Sequence, residues 1–255
     1  MRAQASSRTV VVIPARFASK RLPGKPLMEI AGKPMIQHVF ERALKARCVD
    51  AVLVATDDKR IASAVEAFGG HAVMTPGDIR SGTDRIAFVA KSLTDSDTII
   101  NVQGDEPLID PLIIDQTTAP MLEDHTIPVA TPIRQIQTEE DLLNPNTTKV
   151  VIDNKQNCLY FSRSPIPYCR DDTNERRFHV QRFYKHIGLY VFKREFLLRY
   201  AAMPRTPLEH AEKLEQLRIL EHGFRIRAVP TEYESVPVDT PADLERVRAM
   251  MRGIQ

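Results

Sequence analysis

Short apolar runs alternate with amphipathic stretches through the first half of the chain. Thr9-Val10-Val11-Val12-Ile13, Ala51-Val52-Leu53-Val54-Ala55 and Thr98-Ile99-Ile100-Asn101-Val102 are continuous and rich in β-branched residues. That pattern predicts strands buried on both faces. Ala72 to Met74 reads as a shorter strand of the same kind. Between them the period changes to helical. Ile36, Val39, Phe40 and Ala43 share one helix face, as do Ile61, Ala62, Val65 and Phe68, and then Ile86, Ala87, Val89 and Ala90. Thr56-Asp57-Asp58 and Ser81-Gly82-Thr83-Asp84 carry helix-start chemistry, and Gly69-Gly70 carries a stop. Strand, loop and helix repeat to about residue 125. The alternation predicts an α/β fold with a mainly parallel sheet flanked by helices.

Beyond about residue 128 the rhythm is lost. Lys149 to Ile152, Leu159 to Phe161, His186 to Phe192 and Arg225 to Val229 read as strands of a more open region. A helix is predicted from about Glu209 to Glu221, with Leu214, Leu217 and Leu220 on one face, and a closing amphipathic helix from Pro241 to Met251. Cys169 to Arg182 is polar and irregular. The organisation implied is one domain over residues 9–252. A middle insertion at about 128–220 carries additional strands and has too few residues to demand a core of its own.

Composition narrows the function by exclusion. The 255 residues hold 35 Lys and Arg against 33 Asp and Glu, a formal charge of +2. Neither sign accumulates, so nucleic acid is not an expected partner. The 10 glycines form no G-x-G-x-x-G, and Gly24-Lys25 and Gly32-Lys33 each run into Pro, so no Walker A sequence exists. No G-x-S-x-G surrounds a serine. The 3 cysteines form no C-x-x-C, which argues against a thiolate zinc site and fits a reducing compartment. No apolar stretch approaches the ~18 residues of a membrane span, and no signal-peptide pattern opens the chain. A cytoplasmic protein without membrane insertion is expected.

Open parallel sheets bind ligands beyond the carboxyl ends of their strands, so the loops there are the candidates. The first runs from Pro14 to Pro26 and holds Arg16, Lys20, Arg21 and Lys25. Arg offers a planar fork and Lys a compact charge for phosphate oxygens. Three prolines stiffen the loop, and Gly24 permits close backbone approach. A solvated basic loop is the plainer alternative. Its place after a buried strand favours a triphosphate cradle. The second candidate is Asn101-Val102-Gln103-Gly104-Asp105-Glu106-Pro107. A carboxylate beyond a buried strand is costly unless a cation meets it, so Asp105 is either a magnesium ligand or a turn cap. The third is Val238-Asp239-Thr240-Pro241. Asp239 is either a second metal ligand or part of an ordinary helix cap.

Taken together, Pro14-Ala15-Arg16, Ser19 to Leu27 and Ala55-Thr56-Asp57-Asp58 resemble the nucleotide loops of sugar nucleotidyltransferases. Gln103-Gly104-Asp105-Glu106-Pro107, Tyr160-Phe161-Ser162-Arg163, Lys185 to Tyr190, Leu214 to Arg218 and Val238 to Pro241 narrow the resemblance to the 3-deoxy-manno-octulosonate (Kdo) cytidylyltransferases, over about residues 9–252. Ile79-Arg80 and Pro237 depart from that family's usual residues. The resemblance implies a Rossmann-like nucleotidyltransferase core. It implies transfer of CMP from CTP to Kdo with Mg²⁺, in lipopolysaccharide synthesis, by a homodimer built largely through the insertion. Arg16, Arg21 and Lys25 would hold the triphosphate, and Asp105 and Asp239 the metal. Pro14, Ala15, Arg80, Ser81 and Gly82 would meet the nucleotide. Arg85 and Arg163 would meet the sugar carboxylate, and Gln103, His186, Tyr190, Glu215 and Gln216 would read its hydroxyls. The residue types leave three alternatives open: a related acidic sugar such as amino-substituted Kdo or a sialic acid, a glycosyltransferase of similar fold, and a non-catalytic nucleotide-binding protein.

Overall fold

A computed structural model describes residues 8–18, 21–79, 81–170 and 177–253. In chain order it contains β1 (Arg8–Ala15), a single 3-10 turn (Lys25–Leu27), β2 (Glu29–Ile30), β3 (Lys33–Pro34), α1 (Met35–Ala43), β4 (Ala51–Thr56), α2 (Lys59–Ala67) and β5 (His71–Met74). These are followed by α3 (Gly82–Ala90), β6 (Ser96–Asn101), α4 (Pro111–Glu123), β7 (Val129–Gln135), α5 (Glu139–Leu143), β8 (Lys149–Ile152), β9 (Cys158–Ser162) and α6 (Arg177–Val180). The remainder are β10 (Tyr184–His186), β11 (Tyr190–Lys193), α7 (Arg194–Ala202), α8 (Pro207–Glu212), α9 (Leu217–Glu221), β12 (Arg227–Pro230) and α10 (Pro241–Arg252). The fold is α/β. The chain forms two compact units, one of residues 1–115, 189–201 and 235–255, the other of residues 116–188 and 202–234.

In the first unit the strand order is β5-β4-β1-β6-β11. The first four are mutually parallel and β11 is antiparallel to β6. The reason lies in the runs read above: Val10 to Ile13, Val54, Ile99 and Ile100 are all almost wholly buried. Such runs need cover on both faces, which crossover helices provide. Asp58 caps α2 through Arg60 N, and Ser81 caps α3 through Asp84 N. Because β1 pairs with β4 on one side and β6 on the other, the strand order reverses between β1 and β6. This switch point is where such sheets open a ligand crevice.

The second unit orders its strands β12-β7-β10-β8-β9. Only β12–β7 is parallel. Two expectations fail in this part of the sequence. The stretch His186–Phe192 is not one strand: β10 ends at His186 and β11 begins at Tyr190, with Ile187-Gly188-Leu189 between them. Nor is Glu209–Glu221 one helix. Lys213 takes a left-handed conformation at φ 55°, ending α8, and α9 starts at Leu217. The apolar spacing of Leu214, Leu217 and Leu220 is real, but it spans a break.

Candidate active site

The basic loop is folded by its own backbone. Gly24 N donates to Phe17 O at 2.9 Å, Lys25 N to Leu22 O, and Leu27 N to Gly24 O. Gly24 sits at φ 70°, and an added Cβ would lie 3.1 Å from the Phe17 ring. Only glycine meets both demands without strain. The Arg60 guanidinium lies over the Phe17 ring, 3.3 Å from its centroid. Leu22 enters an apolar cluster with Ile30, Met35, Val236, Val238, Leu244 and Val247. That cluster fastens the first loop and the Asp239 loop to the same core.

At the switch point lies a cleft of about 250 Å³. Pro14, Ala15, Arg16, Ala18, Lys25, Pro26, Gly82, Gln103, Gly104 and Asp105 line it. Two glycines let its walls close on Pro14. A Cβ on Gly104 would stand 2.9 Å from Pro14 O, and one on Gly82 would stand 3.3 Å from the Pro14 ring. Gly104 carries no chemistry of its own, and its residue type does not mark it as a site residue. Its place immediately after Gln103, at the end of a buried strand, was the available signal.

Three loops converge on one charge cluster. Lys25 Nζ donates to Asp105 at 2.8 Å and to Asp239 at 3.1 Å. Arg21 Nη2 stands 2.9 Å from the other oxygen of Asp239. Val238 N donates to Asp105 O at 2.9 Å, which ties the two acidic loops together directly. Burial disfavours the charged form of Lys25, but Asp105 and Asp239 outweigh it and hold its pKa above the ordinary value. The helix-cap alternative for Asp239 is set aside by geometry. Thr240 caps α10, in a reciprocal capping box with Asp243. The Asp239 carboxylate is thereby left to the cations.

The other expected residues divide between the units. Arg16 donates to Ile79 O. Ser81 is buried and spent on capping α3. Arg80 lies outside the described residues. Arg85, which the resemblance assigns to the sugar carboxylate, is held inside the first unit. It is 0% exposed, bonded to Asp57 at 2.8 Å and to Thr75. Its guanidinium is turned into the core under α3, and Arg85 is not among the residues lining the cleft. Gln103 bonds to Asn101 at 3.3 Å, and the Tyr190 ring stacks on Phe192.

In the second unit, Arg163 Nε donates to Glu212 O at 2.8 Å and Nη1 donates to Pro145 O at 3.0 Å. Glu212 also accepts from Ser162 Oγ and Arg163 N, so it fixes the end of β9. Glu212 had no sequence signal, because its partners lie about fifty positions away. His186 Nε2 is paired with Thr131 Oγ1 at 2.9 Å, and Phe161 meets the ring edge-on. Desolvation lowers the His186 pKa to about 3, so the ring is neutral near pH 7. Gln216 is buried ahead of α9 and Glu215 is half-buried.

Fold and cleft define a nucleotide-binding α/β enzyme of the nucleotidyltransferase kind. The family model for cytidylyltransferases matches residues 10–226. The 3-deoxy-manno-octulosonate cytidylyltransferase of Geobacter metallireducens is 54% identical over 94% of this chain and 96% of its own. That of Pelobacter propionicus is 55% identical over 96% and 97%. A solved structure of CMP:2-keto-3-deoxy-manno-octonic acid synthetase complexed with CTP superposes with a TM-score of 0.91. It is 48% identical and covers 98% of this chain and all of that one. A cytidylyltransferase from Leptospira borgpetersenii shares the fold at a TM-score of 0.65 with 18% identity. The chain belongs to the cytidylyltransferase family, among the 3-deoxy-manno-octulosonate cytidylyltransferases.

Proposed function

We propose that the protein transfers CMP from CTP to Kdo, giving CMP-Kdo and pyrophosphate for lipopolysaccharide synthesis. The observation that carries the reading is the meeting of Arg21, Lys25, Asp105 and Asp239 beside the cleft at the switch point. The close relatives bearing that activity by name support it.

In the transfer, the anomeric hydroxyl of the sugar forms a bond to the α-phosphorus. The bond from that phosphorus to the oxygen bridging the α- and β-phosphates breaks, the hydroxyl proton passes to solvent, and pyrophosphate departs. Little covalent work falls to the protein, so positioning and charge neutralisation dominate. Arg16, Arg21 and Lys25 would hold phosphate oxygens. Pro14 and Gly82 would bound the nucleotide, with Gly104 allowing close backbone approach. Arg163 would meet the sugar carboxylate. Neutral His186 would take part in hydrogen bonds to hydroxyls rather than as a cation.

The donor set suits Mg²⁺. Asp105 and Asp239 already share one cation, and both remain partly exposed. Among the described residues no group of three or more His, Cys, Asp or Glu could hold a metal unaided. Magnesium is commonly held by one or two carboxylates plus substrate phosphates. When bound there, it would supply Lewis-acid neutralisation of the phosphoryl oxygens. The same reading carries a cytoplasmic homodimer, which sedimentation velocity and cell fractionation test.

The decisive assay is pyrophosphate release with Mg²⁺, each of the four NTPs, and Kdo or its amino analogue. Release requiring CTP and Kdo together is expected. Release with the amino analogue alone would move the sugar assignment, and none with any pair would leave a nucleotide-binding protein.

A further inference from the structure

The acidic pair that suits a metal is already neutralised by the protein itself. Asp105 and Asp239 contribute two negative charges, and Lys25 and Arg21 contribute two positive ones within 3.1 Å of the carboxylate oxygens. Lys25 bridges both aspartates, with its side chain only 14% exposed. A divalent ion arriving alone meets a place with no net negative charge and a resident ammonium on the same oxygens. Its gain over water is correspondingly small, since Mg²⁺ gives up hydration reluctantly. An arriving triphosphate changes the balance. Its oxygens offer the two cations better partners, because charge-assisted bonds to phosphate are strong. Once the cations turn to the phosphates, the aspartates are released together with new phosphate ligands.

We propose that Lys25 is a resident cation gate: its ammonium occupies the carboxylate pair until the triphosphate draws it off, so that metal enters only with nucleotide. This rests on the nucleotidyltransferase reading above. Arg21 assists but is 64% exposed and touches only Asp239, so the gating weight falls on Lys25. The arrangement also removes the repulsion that two facing carboxylates would otherwise suffer in the nucleotide-free protein.

The test is direct metal binding, with Mn²⁺ as the probe, followed by electron paramagnetic resonance without nucleotide. Wild-type protein is expected to bind Mn²⁺ weakly. Lys25→Met is expected to bind it at least about tenfold more tightly, because the pair is then left with a net negative charge and no ammonium on its oxygens. Adding Asp105→Asn to that variant should abolish the gain. Lys25→Ala repeats the comparison should the Met variant fail to fold, with circular dichroism as the check on both. Wild-type binding as tight as that of the folded Lys25 variants would overturn the gate. A failed gate leaves wild-type Mn²⁺ bound with or without CTP. A failed nucleotidyltransferase reading leaves no pyrophosphate release under any condition.

Discussion

Arg85 shows how little a residue's type says about its surroundings. A guanidinium three positions into a helix reads as solvent-facing or ligand-binding, yet α3 turns it inward onto Asp57 and Thr75. Its partner at Asp57 lies 28 positions earlier, in the loop after β4. No local pattern announces such a pair. Removing Arg85 takes the partner from a half-buried Asp57, so Arg85→Met should destabilise the protein by about 2 kcal/mol. Chemical denaturation reads this. A variant of unchanged stability that instead needs more sugar would return Arg85 to the substrate. His186 yields a pH effect. Its folded pKa of about 3 lies below the ordinary 6.5, so below pH 6.5 the unfolded chain takes up a proton that the folded chain refuses. Its contribution is complete above pH 6.5 and is lost as pH falls toward 3. His186→Asn should therefore narrow the gap between urea midpoints measured at pH 7 and pH 4.5. An unchanged gap would mean that the ring titrates freely. Lys25 and Asp105 were readable one by one as charges in loops after strands, and Asp239 as a charge before a helix. Their meeting through a single ammonium was not, because it depends on where three loops end in space.

At the scale of elements, the first unit was legible because each strand advertises itself. Val10 to Ile13 can only be a buried strand, and Ser81 and Asp58 cap the helices that the sequence pattern opens there. The break at Lys213 was illegible because leucine spacing survives it and lysine favours helices. The break has a measurable sign. In a continuous helix, Lys213→Gly would cost about 1 kcal/mol. At φ 55° the same change relieves a left-handed lysine and should stabilise by about 1 kcal/mol. A thermal melt decides between them. The pause between β10 and β11 was hidden for a similar reason, since Ile187 and Leu189 prolong the apolar run while both are buried outside strand pairing.

For the whole molecule, the alternation of strand and helix disclosed the parallel sheet, whereas the antiparallel pairs of the second unit rest on long-range partners that period alone cannot rank. The first unit is assembled from three separated stretches of chain. Its last stretch brings Asp239 together with Val236, Val238, Leu244 and Val247, which join Leu22 in one cluster. Deleting residues 235–255 should thus abolish cooperative unfolding of that unit as well as CTP binding, as read by denaturation and calorimetry. Retention of both would separate the cleft from its closing helix.

The bond between Lys25 and Asp239 spans 214 positions of sequence. At the pace of ribosomal synthesis that is a wait of roughly ten to forty seconds. For this interval the nascent basic loop has at most one of its two acidic partners, Asp105, and Leu22 lacks most of the side chains that cover it. The emerging chain then carries a cationic, sticky segment among polyanions, and its cover is complete only with the final helix.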